Sequence, residues 1–200
     1  MQIISTVGNP VATASGGQSV SRAGAQGDLI VSELHGATYE QAYRGNVFAV
    51  ANQAAVSTST TLNTTFTGLA IANPAGSGVN LVILKFMVAQ FAVATAAVVS
   101  IAGGLGVAAG TLVPKNALVG SVSSSKATAS AGATITAPVL LRPVASTGSL
   151  ATTGYGLAPS IVYNCGGDLI VPPGSFVCSD TSIATTSALI FGFVWEEVPI

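Results

Sequence analysis

Charge is what this sequence has least of. Thirteen of 200 residues are charged, six Lys or Arg and seven Asp or Glu, where an ordinary soluble domain devotes ~25% of its residues to charge. A free monomer needs surface charge for solubility, so the deficit points to a surface covered by other subunits. A formal net charge of −1 supplies no basic footprint, and no nucleic-acid partner is expected. Disorder is excluded as well, because solvated unfolded chains are charge-rich and this one is half hydrophobic.

Catalytic and metal-binding groups are equally scarce. The one histidine, His35, lies between Glu33 and Glu40. One His and two Glu without a second His fall short of a zinc set, so no metal or other cofactor is expected. Glu196 and Glu197 are neighbours near the end of an apolar run; adjacent strand residues face opposite ways, so they cannot converge on one substrate and read as solvated strand-end charges. Cys165 and Cys178 are the only cysteines. Their spacing allows a disulfide if the flanking segments pair, but two buried free thiols fit better without export. Neither has the His partner of a nucleophile. Gly103-Gly104-Leu105-Gly106 is not a dinucleotide loop, since Pro114 breaks the helix that should follow. No enzyme is expected.

Long helical patterns and targeting signals are also missing. Met1-Gln2-Ile3-Ile4-Ser5 has neither the basic region nor the apolar core of a signal peptide. Phe86 to Ala109 is uncharged and long enough to span a bilayer. However, Gln90 and three glycines interrupt it and no basic cluster orients it, so it reads as sandwich core, with no membrane partner.

What remains is Ala, Val, Ile and Leu mixed with Gly, Ser and Thr, the material of short strands and tight turns. The central stretch is Thr65–Phe91, two apolar runs about Asn73-Pro74-Ala75-Gly76-Ser77-Gly78. It reads as a long hairpin or two adjacent sandwich strands. Val56–Phe66 is Thr-rich and alternating, suited to sheet surfaces packed on other subunits. Further strands are expected at Ala92–Ile101, turned by Gly103–Gly106, and in short form within 107–120. Residues 121–135 read as a surface loop or weak strand. Ala137–Val144, framed by prolines, suits a sheet edge. Strands are also expected at Gly45–Ala55 with Val47, Phe48 and Val50, and at Ile161–Tyr163, Asp168–Val171, Ser175–Cys178 and Ala188–Val198, with turns at Pro172–Ser175 and Ser179–Thr181, and a loop over Gly148–Ser160 holding Tyr155. Phe191, Phe193 and Trp195 share one strand face.

Residues 1–50 read as an extended N-terminal arm with one short strand or helical turn, and 51–200 as a β-sandwich domain. Within the arm, Arg22, Asp28, Glu33, Glu40 and Arg44 hold five of the 13 charges. Tyr39 and Tyr43, like Glu40 and Arg44, are four apart, so one helical turn bounded by Gly36 and Gly45 pairs each set. The interface candidates are Arg22, Glu33, His35, Tyr39, Tyr43 and Arg44 as polar and aromatic anchors, and Trp195 as core or subunit-contact anchor.

Asp28–Gly36 and Tyr39–Phe48, followed by Asn73–Gly78, resemble structural proteins of tailed bacteriophages. The Pro172-Pro173-Gly174 turn and the aromatic strand ending Trp195-Glu196-Glu197-Val198-Pro199 look like the close of a viral jelly-roll domain. The resemblance implies an all-β, jelly-roll-like antiparallel sandwich with an extended N-terminal arm, in a virion protein assembled in the host cytoplasm. It further implies a capsid cement (decoration) protein, a homo-oligomer with a trimer favoured, partnered by the major capsid protein or other virion proteins. A receptor- or glycan-binding head of a tail fibre or baseplate is the alternative, with Tyr155 and Tyr163 as contacts. A glycan depolymerase would need two convergent carboxylates, and the few acids are scattered.

Overall fold

The structure is a computed structural model. It describes residues 5–6, 21–23, 29–30, 38–58, 68–90, 92, 96–106, 110–132, 137–147 and 160–200, with backbone alone before residue 38 and at 186–187. The chain divides into two compact units, residues 1–40 and 41–200. In the first, β1 (Ser5–Thr6), β2 (Ser21–Ala23) and β3 (Leu29–Ile30) form a small sheet in the order β1-β2-β3. The rest of the expected arm before residue 38 lies outside the described residues. One helical turn, α1 (Tyr39–Tyr43), falls where the four-residue spacing of the tyrosines places it.

Among the described residues of the second unit, eleven strands follow: β4 (Val47–Ala51), β5 (Val56–Thr58), β6 (Leu69–Asn73), β7 (Val79–Gln90), β8 (Ala97–Leu105), β9 (Lys115–Asn116), β10 (Thr128–Ala131), β11 (Val139–Thr147), β12 (Ser160–Val171), β13 (Ser175–Thr181) and β14 (Thr185–Pro199). They form two antiparallel sheets packed face to face. One has the order β12-β7-β14-β4-β9, with β5 also on β14; the other is β10-β6-β13-β8-β11. Setting aside the short β5, β9 and β10, successive strands alternate between sheets except for the step from β8 to β11. That path is the double Greek key of a jelly roll. The stretch 47–50, grouped with the arm in the sequence, pairs with β14 through Phe48↔Trp195 and its neighbours.

The Thr65–Phe91 stretch is not a hairpin. Its described strands, β6 and β7, lie in opposite sheets, so the Asn73–Gly78 loop carries the chain across the sandwich. Asn73 holds that crossing: its Nδ2 donates to the carbonyls of Val79 at 2.8 Å and Val171 at 2.9 Å. The Pro172–Ser175 turn forms as expected, with Gly174 at φ +84° where a side chain would be strained. It too passes between sheets, from β12 to β13.

Two other expectations are corrected. Gly103 and Gly104 do not turn the chain but continue β8. A Cβ on Gly103 would stand 2.9 Å from the Phe176 carbonyl oxygen, so these glycines let β8 and β13 approach closely. Ser179–Thr181 continues β13 and is buried; Ser179 Oγ accepts from the Leu69 N–H at 2.9 Å. Of the loop or weak strand expected over 121–135, residues 128–131 are the strand, paired with β6.

The core lies between the sheets. Trp195, Phe86, Phe191 and Phe193 are fully buried within it, each such side chain worth roughly 1.5–3 kcal/mol of transfer free energy. Phe86 meets Phe193 with ring centroids 4.8 Å apart, and Phe48 stacks on Trp195 at 6.3 Å. In β7 the inward residues switch from Leu81 and Ile83 to Phe86 and Val88. The switch follows from an irregularity against β14, where Val194↔Lys85 is followed by Trp195↔Ile83. One extra residue on β7 reverses which alternate side chains face the core.

Candidate interaction surface

The interface candidates separate once placed. Trp195 is in the core, with no exposure, and anchors the sandwich rather than a surface contact. Tyr39 and Tyr43 are exposed on α1, and Arg44 follows them at the surface. Arg22 lies in β2, in register with Ile30 of β3. Glu33 and His35 lie outside the described residues, as do Gly36, Tyr155 and the 59–66 part of the Thr-rich run.

Glu197 corrects the reading of a solvated strand-end charge. It is buried, because residues 195 and 197 point the same way and β14 continues to Pro199. Its carboxylate accepts from Ser125 Oγ, from the Lys126 N–H at 2.9 Å and from the Ala127 N–H at 3.4 Å. A carboxylate gathering several donors is a strong internal anchor. Here it fixes the 125–127 segment that leads into β10. Glu196, partly buried on the opposite face, is raised by burial above the usual carboxylate range.

Thr58 is likewise not a surface hydroxyl. It lies within 2.7 Å of Thr181 Oγ1 and 2.9 Å of Thr185 Oγ1, buried between β5, β13 and β14. The cysteines are free and buried. Cys165 belongs to the main core, and Cys178 to a separate cluster with Ala70, Ala72, Ala102 and Phe176. Burial raises both thiols above their ordinary value, which suppresses the nucleophilic thiolate. Among the described residues, no group of three or more His, Cys, Asp or Glu is placed to hold a metal ion, and no helix is long and apolar enough to cross a membrane.

Two flanks of the sandwich carry the notable surface. On one, the edge strands β11 and β12 are tied together by Arg142, whose Nη1 donates to Asp168 at 2.8 and 3.0 Å. Hydrogen bonds to Asp168 and then Tyr163 hold the guanidinium still more firmly charged. β12 bulges beside this pair: Asn164↔Lys85 is followed by Leu169↔Ile83, leaving Cys165–Asp168 against a two-residue step of β7. The apolar run Val139-Leu140-Leu141 of β11 is exposed at all three positions. An edge strand normally hides one face. Beside it lies a groove of about 350 Å³ lined by Gly103, Leu105, Val139, Leu141, Ile170 and Phe176 among others. Among the described residues, no charged side chain lines it.

The opposite flank holds β9, β10 and the 117–127 segment between them. Its tip is apolar: Val119 is 96% and Val122 97% exposed. The tip is nevertheless well tied. Ser121 N donates to Leu118 O at 3.0 Å, Ala117 N to Val47 O at 2.8 Å, and Asn116 Nδ2 to Gly45 O at 2.6 Å. These are the residues that sequence reasoning missed. The available signal was two valines flanking Gly120, where a turn tip is ordinarily polar. A cleft of about 450 Å³ beside it has Lys115 as its one charged lining residue among the described residues. No protein-family model, no curated protein and no solved structure matches this chain.

Proposed function

We propose that this chain is a non-enzymatic structural protein of a tailed-bacteriophage particle, a capsid cement protein that works as a homo-oligomer. The observation that carries the reading is the exposed Val139-Leu140-Leu141 edge on a jelly roll with so few charges. Such an edge is an aggregation hazard in a free monomer and an asset in a protein built to be covered. The fold supports the reading by analogy, since jelly rolls are a common build of capsid domains. The work is mechanical: strands and loops bury surface across neighbouring shell subunits and oppose the pressure of packaged DNA.

The test is binding to shells. Capsids purified without this chain should co-sediment with it at a fixed ratio and withstand heat better once it is bound. A chain that stays in the supernatant at micromolar concentrations defeats the proposal. The second reading, a glycan-binding head, draws on the same fold, because jelly rolls also build lectin domains. A glycan array separates the two, as a cement protein gives no signal there.

A further inference from the structure

We infer that two copies of this chain pack face to face through the outward side of the β12-β7-β14-β4 sheet, with Lys85 of each copy set against Glu196 of the other. The inference rests on the assembly part of the function proposed above and names the contact.

Register fixes what that face carries. Phe191, Phe193 and Trp195 of β14 belong to the core, so Ile190, Val194 and Glu196 point the other way. Their partners on β7 point out with them: Val194 is opposite Lys85, and Glu196 is opposite Val82. On β12, Val162 is opposite Met87 and Ile170 is opposite Val82. The apolar side chains among these are not buried. Val162 is 60% and Ile170 54% exposed, while Val82, Met87, Ile190 and Val194 are half-buried. An antiparallel sheet open to water ordinarily turns polar residues outward. The outward face of the other sheet differs, since Ala70, Ala102 and Cys178 there have no exposure.

Charge selects a second copy as the occupant. Lys85 is exposed on this face and Glu196 half-buried, and among the described residues neither has an ion-pair partner. Burial is the cause that acts on the Glu196 carboxyl, and it raises the pKa, as happens where no cation stands close by. The two charges are opposite in sign and lie on adjacent strands, one strand step of ~4.8 Å apart. A two-fold axis in the plane of the face, crossing the strands between their two levels, brings each within a side chain's reach of its opposite on the second copy. An isologous contact makes the pair twice, so both unpaired charges of both copies are satisfied. Lys115, on β9 at the far margin of the sheet, stays in the wet rim.

Area is sufficient as well. Four strands at ~4.8 Å each give a width of roughly 19 Å. With its 12 residues, β7 runs roughly 40 Å at ~3.3 Å per residue. The face is on the order of 700 Å² per copy, within the ~600–1,000 Å² per partner of a standard interface.

The experiment uses the full chain and measures mass in solution by sedimentation equilibrium, with near-ultraviolet circular dichroism from Trp195 as a check on folding. Wild type should be a dimer, or a multiple of one, at micromolar concentration. Lys85→Glu and Glu196→Lys, each alone, set like charges together and should weaken the dimer about tenfold or more. An equimolar mixture of the two variants should dimerise again, because one brings only acids to the contact and the other only bases. The double variant should dimerise too, since its pair is merely exchanged. An oligomer indifferent to both single variants overturns this contact while leaving the assembly reading standing. Single variants that dissociate and do not recombine overturn the pairing of Lys85 with Glu196. A wild-type monomer overturns both the contact and the homo-oligomer; if that monomer still co-sediments with shells, the shell-binding part of the proposed function survives and the face belongs to a shell subunit.

Discussion

The backbone N–H of Lys126 donates to both oxygens of Glu197, at 2.9 and 3.2 Å, so a buried carboxylate at the end of β14 holds the start of β10. Trp195 Nε1 reaches the same group at 3.5 Å. The last strand thus carries the largest core side chain and, two residues on, the anchor of a loop from the other sheet.

Glu197→Ala should cost about 1–3 kcal/mol, the range for buried donors left unsatisfied. Its effect should be local: hydrogen exchange at the Lys126 and Ala127 amides should accelerate, while exchange in β7 stays slow. Urea denaturation gives the first quantity and amide exchange the second. Equal stability in the two proteins would show that the carboxylate is not an anchor.

Most strands were legible in the sequence because alternation and Gly or Pro turns mark them, and Phe191, Phe193 and Trp195 do share the core face. Sheet membership was not legible. A six-residue turn-forming loop reads the same whether the chain folds back in one sheet or crosses to the other, and only the distant partners of Asn73 distinguish them. The switch in β7 was hidden too, since Leu81-Val82-Ile83-Leu84 is apolar at every position and has no visible period of two. The candidate surface was least legible of all. Val119 and Val122 have the hydropathy of core residues, and only the packing around them shows that nothing among the described residues covers them.

Asn73 offers a sharper test of the crossing. Its Nδ2 satisfies two carbonyls of the opposite sheet, while its Oδ1 is buried without a hydrogen-bond partner. Asn73→Ala should lose about 1–3 kcal/mol by leaving those carbonyls unpaired. Asn73→Asp should lose more, because it sets a carboxylate oxygen against them. Chemical denaturation at neutral pH orders the three proteins. An Asp variant more stable than the Ala variant would contradict the donor role.

Arg142 and Asp168 join the two sheet edges, yet neither is buried: Arg142 is partly exposed and Asp168 well exposed, with side chains 31% and 62% accessible. Solvent screens such a pair, so Arg142→Ala should leave the urea midpoint close to that of wild type, and closer still in high salt. A large loss that persists in high salt would mean that the guanidinium stem packs the flank shut.

Cys178 sets an alkaline limit on the fold. Burial is the main cause of its raised pKa, with Asp180 adding to it, against an ordinary thiol value of 9.0. The folded chain therefore keeps its proton at pH values where the unfolded chain has lost it. The sign follows: the contribution is fully present below about pH 9, and is lost progressively as pH rises above the unfolded value toward the folded one. Cys178→Ala removes that thiol and trades it for a small cavity. Its stability should accordingly fall less steeply than wild type between pH 8.5 and about 10.5, although it starts lower at neutral pH. Denaturation curves across that interval measure both slopes, and parallel slopes would remove Cys178 from the account. At neutral pH the same burial should keep both thiols unreactive toward a disulfide reagent until urea unfolds the chain. Rapid labelling of the native protein would mean that the sandwich opens readily at β12 or β13.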